Sequence, residues 1–129
     1  MFVLKKIREY ASDPERVALI DRDRRMTYAE LDARSEAFAA WLLDHAASDH
    51  PVVICGDKEM DFLPCLFGVL KSGRAYVPID SVVPGDRAAQ ILEEVAPAVV
   101  VDFTGRLSAG DVPLLRQENP SLAATVARS

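Results

Sequence analysis

The residues best placed to do chemistry are Asp57 and Asp80, which stand at the ends of two apolar runs, from Val52 to Gly56 and from Ala75 to Ile79. Runs of that kind read as parallel strands, and α/β sheets bind ligands at the carboxyl ends of their strands. The pair could form a phosphoacceptor site, with Asp80 taking the phosphoryl group and Asp57 helping to hold Mg²⁺. Such a site also needs a Lys late in the sheet to pair with the phosphoryl oxygens, and no Lys follows Lys71. Capping and turn formation are therefore the expected work of both carboxylates. The stretch from Gly68 to Ala75 has the two glycines of a Walker A loop at the right interval, but Arg74 and Ala75 stand where Lys and Ser or Thr are required. It also ends a helix and opens a strand, the reverse of the order a phosphate loop needs.

Other reactive groups are sparse. Cys55 and Cys65 sit among apolar residues without CxxC spacing, and His45 and His50 are the only histidines. That excludes a zinc-finger or thioredoxin-like pattern and predicts two buried, reduced thiols. Arg22, Arg24 and Arg25 could grip a phosphate, but Asp21 and Asp23 interleave with them, so a solvated turn is expected.

These groups depend on the elements that carry them. Val17 to Ile20 and Met26 to Tyr28 predict a short strand pair around the charged turn. Thr27 and Glu30 fit a capping box, predicting a helix to about His45 with Leu31, Phe38, Trp41 and Leu42 on its core face and Trp41 as the largest anchor. After the strand ending at Gly56, Asp57 can cap a helix from Glu59 to Ser72, in which Pro64 is tolerable near the start and Gly73 supplies a left-handed stop. Pro78 confines its strand position to an edge, a bulge or a strand end. Pro84 opens a helix bearing Ala88, Ile91, Leu92 and Val95, and Pro97 bars its continuation. Ala98 to Phe103 reads as a third buried strand and Val112 to Leu115 as a further short one, while Pro120 to Ser129 shows no packing pattern and is expected to be loose. Strand, helix, strand, helix, strand in succession predicts a parallel sheet with helices on both faces, a three-layer α/β fold.

With 129 residues, half of them apolar, the chain has the size of one domain. Fifteen Lys and Arg against twenty Asp and Glu leave a net charge of −5. An acidic chain without a basic stripe is a poor partner for nucleic acid or an anionic membrane surface. Met1 to Ile7 carries Lys5 and Lys6 but no apolar stretch follows, and no apolar run approaches a membrane span, so a cytoplasmic location without membrane insertion is expected.

Met26-Thr27-Tyr28-Ala29-Glu30-Leu31 resembles the first core motif of the adenylate-forming (acyl-adenylating) ligases, and the run from Leu70 to Asp80 closely resembles their second. Pro84, Asp86, Arg87 and Ile91 are similar to the segment that follows it, and the likeness extends from about Val17 to Phe103. Val52 to Lys58, with Phe62 to Cys65, looks most like the D-alanine-activating branch; peptide-synthetase adenylation domains are the close competitor. The resemblance implies that residues 1–129 form a single partial domain, the N-terminal subdomain of an adenylation domain, with 104–129 as its short strand and tail. It implies ATP and Mg²⁺ as cofactors of the whole ligase and a D-alanyl carrier protein and the rest of that ligase as partners. The family's Lys-bearing phosphate loop, substrate-selecting subdomain and C-terminal catalytic Lys are not matched in this chain, so no catalytic, cofactor-binding or metal-binding residue is carried over. Thr27 and Glu30, Gly73, and Tyr76, Pro78 and Asp80 fall in structural positions. Helix faces that cover a second subdomain in the family suggest a homodimer through the exposed surface. A truncated, non-catalytic binding or scaffold module is the alternative.

Overall fold

The computed structural model describes residues 2–46, 48–57, 59–105, 107 and 114–116. In chain order the elements are α1 (Phe2–Ala11), β1 (Val17–Asp21), β2 (Arg24–Thr27), α2 (Tyr28–His45), β3 (Val52–Gly56), α3 (Phe62–Lys71), β4 (Tyr76–Asp80), α4 (Gly85–Val95), β5 (Val99–Asp102) and β6 (Leu114–Arg116). The last four strands form one parallel sheet in the order β4-β3-β5-β6, and β1 and β2 form a separate antiparallel pair.

The apolar runs of β3 and β5 arise because both faces of the sheet are covered. Val52, Ile54, Val99 and Val101 pack against Phe38 and Leu42 of α2 and Cys65 and Val69 of α3. Their neighbours Val53, Cys55 and Val100 point the other way, with Ile79 of β4, onto Ala88, Ile91, Leu92 and Val95 of α4. The result is the expected three-layer arrangement, helices α2 and α3 on one side and α4 on the other. β4 lies outermost, and Pro78, paired with Ile54, is exposed at that edge. A proline there removes no donor that the sheet uses on its inner side and blunts the outer side.

Helix α2 starts as its sequence dictates. The Glu30 amide donates to Thr27 Oγ1 at 3.1 Å and the Thr27 amide donates to Glu30 Oε1 at 3.1 Å, a complete capping box. Phe38, not Trp41, is its largest fully buried side chain; Trp41 is only partly buried, stacked between Phe38 and His45 with centroid distances of 5.9 and 4.2 Å.

Helix α3 begins at Phe62 rather than Glu59, and Asp57 does not cap it. Asp61 takes the N-cap position without a side-chain cap bond, because its carboxylate accepts from Arg34 Nη1 of α2 at 3.2 Å. Pro64 is then the third helical residue, where its missing N–H costs nothing. At the other end the Gly73 amide donates to Leu70 O at 3.0 Å and the Arg74 amide to Val69 O at 3.2 Å, with Gly73 at φ 76°. This is the paired-bond stop that a left-handed glycine permits. Helix α4 ends differently, on Ala96 at φ 48°, immediately before Pro97.

Helix α1 is not expected from the charged stretch Met1 to Ile7, although Leu4, Ile7 and Tyr10 recur at helical spacing. It packs beside α2 and the strand pair through buried Ile7, which joins Met26, Leu31 and Met60 in a third apolar cluster. Arg16 closes this corner, its guanidinium 3.8 Å from the Tyr10 ring centroid, while Tyr10 and Tyr28 meet edge to face at 5.1 Å. The charged turn is solvated as expected, residues 21–25 all being exposed, with Arg22 at φ 58° between the paired Asp21 and Arg24. The short strand expected from Val112 is observed as β6, and the tail from Pro120 to Ser129 lies outside the described residues.

Candidate functional site

The carboxyl edge of the sheet is where this fold would hold a ligand. Strand register places Asp80 opposite Gly56, one residue before Asp57, and Asp102 opposite Cys55. Three carboxylates from β3, β4 and β5 thus meet one edge, of which sequence reasoning singles out only Asp57 and Asp80.

The carboxylates of Asp80 and Asp102 are engaged by their own loops. Asp80 Oδ1 accepts from the Val82 amide at 3.1 Å, and the Asp80 carbonyl accepts from Val83 at 3.0 Å, which turns the chain toward α4. That is the turn-forming role its sequence predicts. Asp57 offers its amide rather than its side chain, donating to Glu59 Oε1 at 2.7 Å, so Glu59 pins the loop that Asp57 was expected to close. Asp57 and Asp80 are both exposed.

Asp102 is the buried member. Its Oδ1 accepts from the Thr104 hydroxyl at 2.5 Å and the Thr104 amide at 2.9 Å, and Oδ2 accepts from the Leu107 amide at 2.9 Å. Burial by itself would raise this carboxyl, but the hydroxyl of Thr104 and the amides of Leu107, Thr104 and Gly105 outweigh it and hold the group below its ordinary range. Asp-x-Thr-Gly directly after an apolar run was the available signal for this loop. Cys55 lies beside it, its sulfur 3.7 Å from Thr104 Oγ1. Cys65 is buried between α2 and the sheet, where desolvation and then the Asp61 charge push its thiol well up. Both cysteines are thus buried, as expected, and Cys65 is suppressed as a nucleophile.

The cations of the resembling motif lie elsewhere. Lys71 Nζ contacts Asp32 Oδ1 at 2.5 Å and Glu36 Oε1 at 3.1 Å, joining the end of α3 to α2. Arg74 Nη1 donates to the carbonyls of Ser48 at 2.5 Å and His50 at 3.2 Å, fixing the loop that enters β3. A nucleotide's phosphates would therefore find no cation from these residues at the carboxyl edge, and the described residues do not fit an ATP and Mg²⁺ site by themselves. Among them no three His, Cys, Asp or Glu gather as metal ligands, and no helix is long and apolar enough to cross a membrane. A cavity of about 490 Å³ opens beside this edge, floored by Leu19, Met60, Phe62 and Leu63, with Asp21, Asp57 and Glu59 around it. Its floor offers apolar contact and its rim negative charge, which together provide a packing surface but no nucleophile or acid poised against a ligand.

The model of the family described as AMP-binding enzyme matches residues 7–127. A D-alanine--D-alanyl carrier protein ligase of Bacillus cytotoxicus is 29% identical over 116 residues, covering 88% of this chain and 23% of that protein. A linear gramicidin synthase of Brevibacillus parabrevis is 37% identical over 92 residues, covering 70% of this chain and 1% of that protein. The solved structure of VinN with L-aspartate superposes with a TM-score of 0.81 at 24% identity, covering 96% of this chain and 36% of that one. The chain thus spans about a quarter of the length of the D-alanine ligase it matches.

Proposed function

We propose a function from one premise: this chain belongs to the AMP-binding enzyme family. It serves as the N-terminal frame of an ATP-dependent, cytoplasmic ligase that joins an amino acid carboxylate to the AMP portion of ATP, with loss of pyrophosphate, and passes the acyl group to a carrier-protein thiol. The amino acid is D-alanine. What carries the reading is the family match across 7–127, with the D-alanine ligase likeness extending over 88% of the chain. The geometry supports a framing role: Asp80, Asp102 and Glu59 each close a loop, Lys71 ties α3 to α2, and Arg74 fixes the loop that enters β3. ATP and Mg²⁺ belong to the whole ligase and are held by segments other than these.

A peptide-synthetase adenylation domain is the second reading, favoured by the higher identity, 37%, to the gramicidin synthase over a shorter span. Grafting this chain in place of the matching segment of the Bacillus cytotoxicus ligase tests the framing role that the two readings share. A frame leaves the graft exchanging pyrophosphate in response to D-alanine above other amino acids. A graft that folds yet changes its preferred amino acid would show that this chain selects substrate and would overturn the framing role.

A further inference from the structure

The cavity of about 490 Å³ beside the carboxyl edge has two unlike borders. Asp57 and Glu59 stand on one side of its apolar floor of Met60, Phe62 and Leu63, and the opposite wall is Ile20 of β1, an apolar side chain that is 67% exposed. Strand pairing sets what lies outside that wall. Ile20 is opposite Arg25 and Asp21 is opposite Arg24, and opposite residues of an antiparallel pair show their side chains on one face. A basic row, Arg24 and Arg25 with Arg22 at the turn, therefore runs beside an acidic row, with the exposed isoleucine between them. Arginines outnumber Asp21 and Asp23 within the turn, whereas no described Lys or Arg lines the cavity.

Neither row is satisfied within the chain. Arg22, Arg24 and Arg25 make no ion pair or side-chain hydrogen bond among the described residues, and neither do the carboxylates of Asp21 and Asp57, although Arg8, Arg34 and Lys71 all find carboxylates. We propose that a second copy of this chain covers this face. A two-fold axis beside Ile20 carries each basic row over the other copy's Asp57 and Glu59 and sets each Ile20 against the other copy's Met60, Phe62 and Leu63. The two rows are separate and of opposite sign, so the operation joins unlike charges twice and the contact closes at the dimer. Isoleucine and floor form its apolar centre and the charged rows its rim, the usual anatomy of such a contact.

Sedimentation equilibrium of the full chain tests it. The expected result is a monomer–dimer equilibrium. Arg24→Glu combined with Arg25→Glu sets acid against acid, and Asp57→Lys sets base against base; the loop bond at Asp57 comes from its amide, so the side chain can change without releasing the loop. Each variant alone should weaken the dimer by roughly a hundredfold with its circular dichroism unchanged. An equal mixture of the two should dimerise again, because both contacts of the mixed pair then join opposite charges. A monomer at every concentration, association continuing past the dimer, a dimer indifferent to either variant, or a mixture that stays monomeric would each overturn the proposal. So would a monomer that binds an arginine-rich peptide through Asp57, which would make a basic segment of another protein the occupant.

Discussion

At the scale of single residues, charge and backbone conformation are used to hold loops in place. Thr27→Ala removes one arm of the capping box and should cost about 1 kcal/mol, read as a lower denaturant midpoint at constant slope. Ala96 occupies a left-handed position that an alanine tolerates poorly, so Ala96→Gly should raise stability by about 1 kcal/mol in the same assay. Asp102 gives a prediction with a pH sign. Its folded carboxyl lies below its ordinary range, so its contribution is fully present above that range and is lost as pH falls through the folded value. Asp102→Asn should therefore cost about 2 kcal/mol at neutral pH, and the gap between variant and parent should narrow in acid. A constant gap from neutral pH down into strong acid would contradict the role given to its charge.

At the scale of elements, the crossing of α2 and α3 is set by one glycine. A Cβ built at Gly68 would stand 2.9 Å from Phe38 Cδ2 and from the Ser35 carbonyl oxygen, and the carbonyl cannot swing away without unwinding α2. Gly68→Ala should cost about 1–3 kcal/mol by forcing the helices apart, measured by thermal melting; an unchanged melting temperature would show that the crossing has slack. The three central strands and both covering layers are legible in the sequence because a parallel strand buried on both sides must be apolar throughout, as in β3. Helix α1 is obscured because two lysines interrupt it and a charged terminus reads as solvent, although Leu4, Ile7 and Tyr10 carry the period. The start of α3 is masked because Asp57 looks like a cap in sequence, while the true N-cap, Asp61, is recognisable only once Arg34 of a different helix is seen to claim its carboxylate.

At the scale of the whole molecule, the family is legible from two contiguous motifs, since a run as long as Leu70 to Asp80 carries information that periodicity alone lacks. The carboxyl edge is half legible. Asp80 forms its turn with its immediate neighbours, a local event that sequence can announce. Asp102 depends on an amide five residues away and on burial beneath the loop, which no local pattern reveals. The central claim is that this chain frames an adenylate-forming site without supplying the groups that bind nucleotide. Calorimetric titration of the folded chain with ATP and Mg²⁺ tests that most directly, because a frame whose Asp80 and Asp102 carboxylates are engaged in loops and whose Lys71 and Arg74 are tied to helix and loop should give no binding heat in the micromolar range. Saturable micromolar binding of ATP to the chain alone would contradict it.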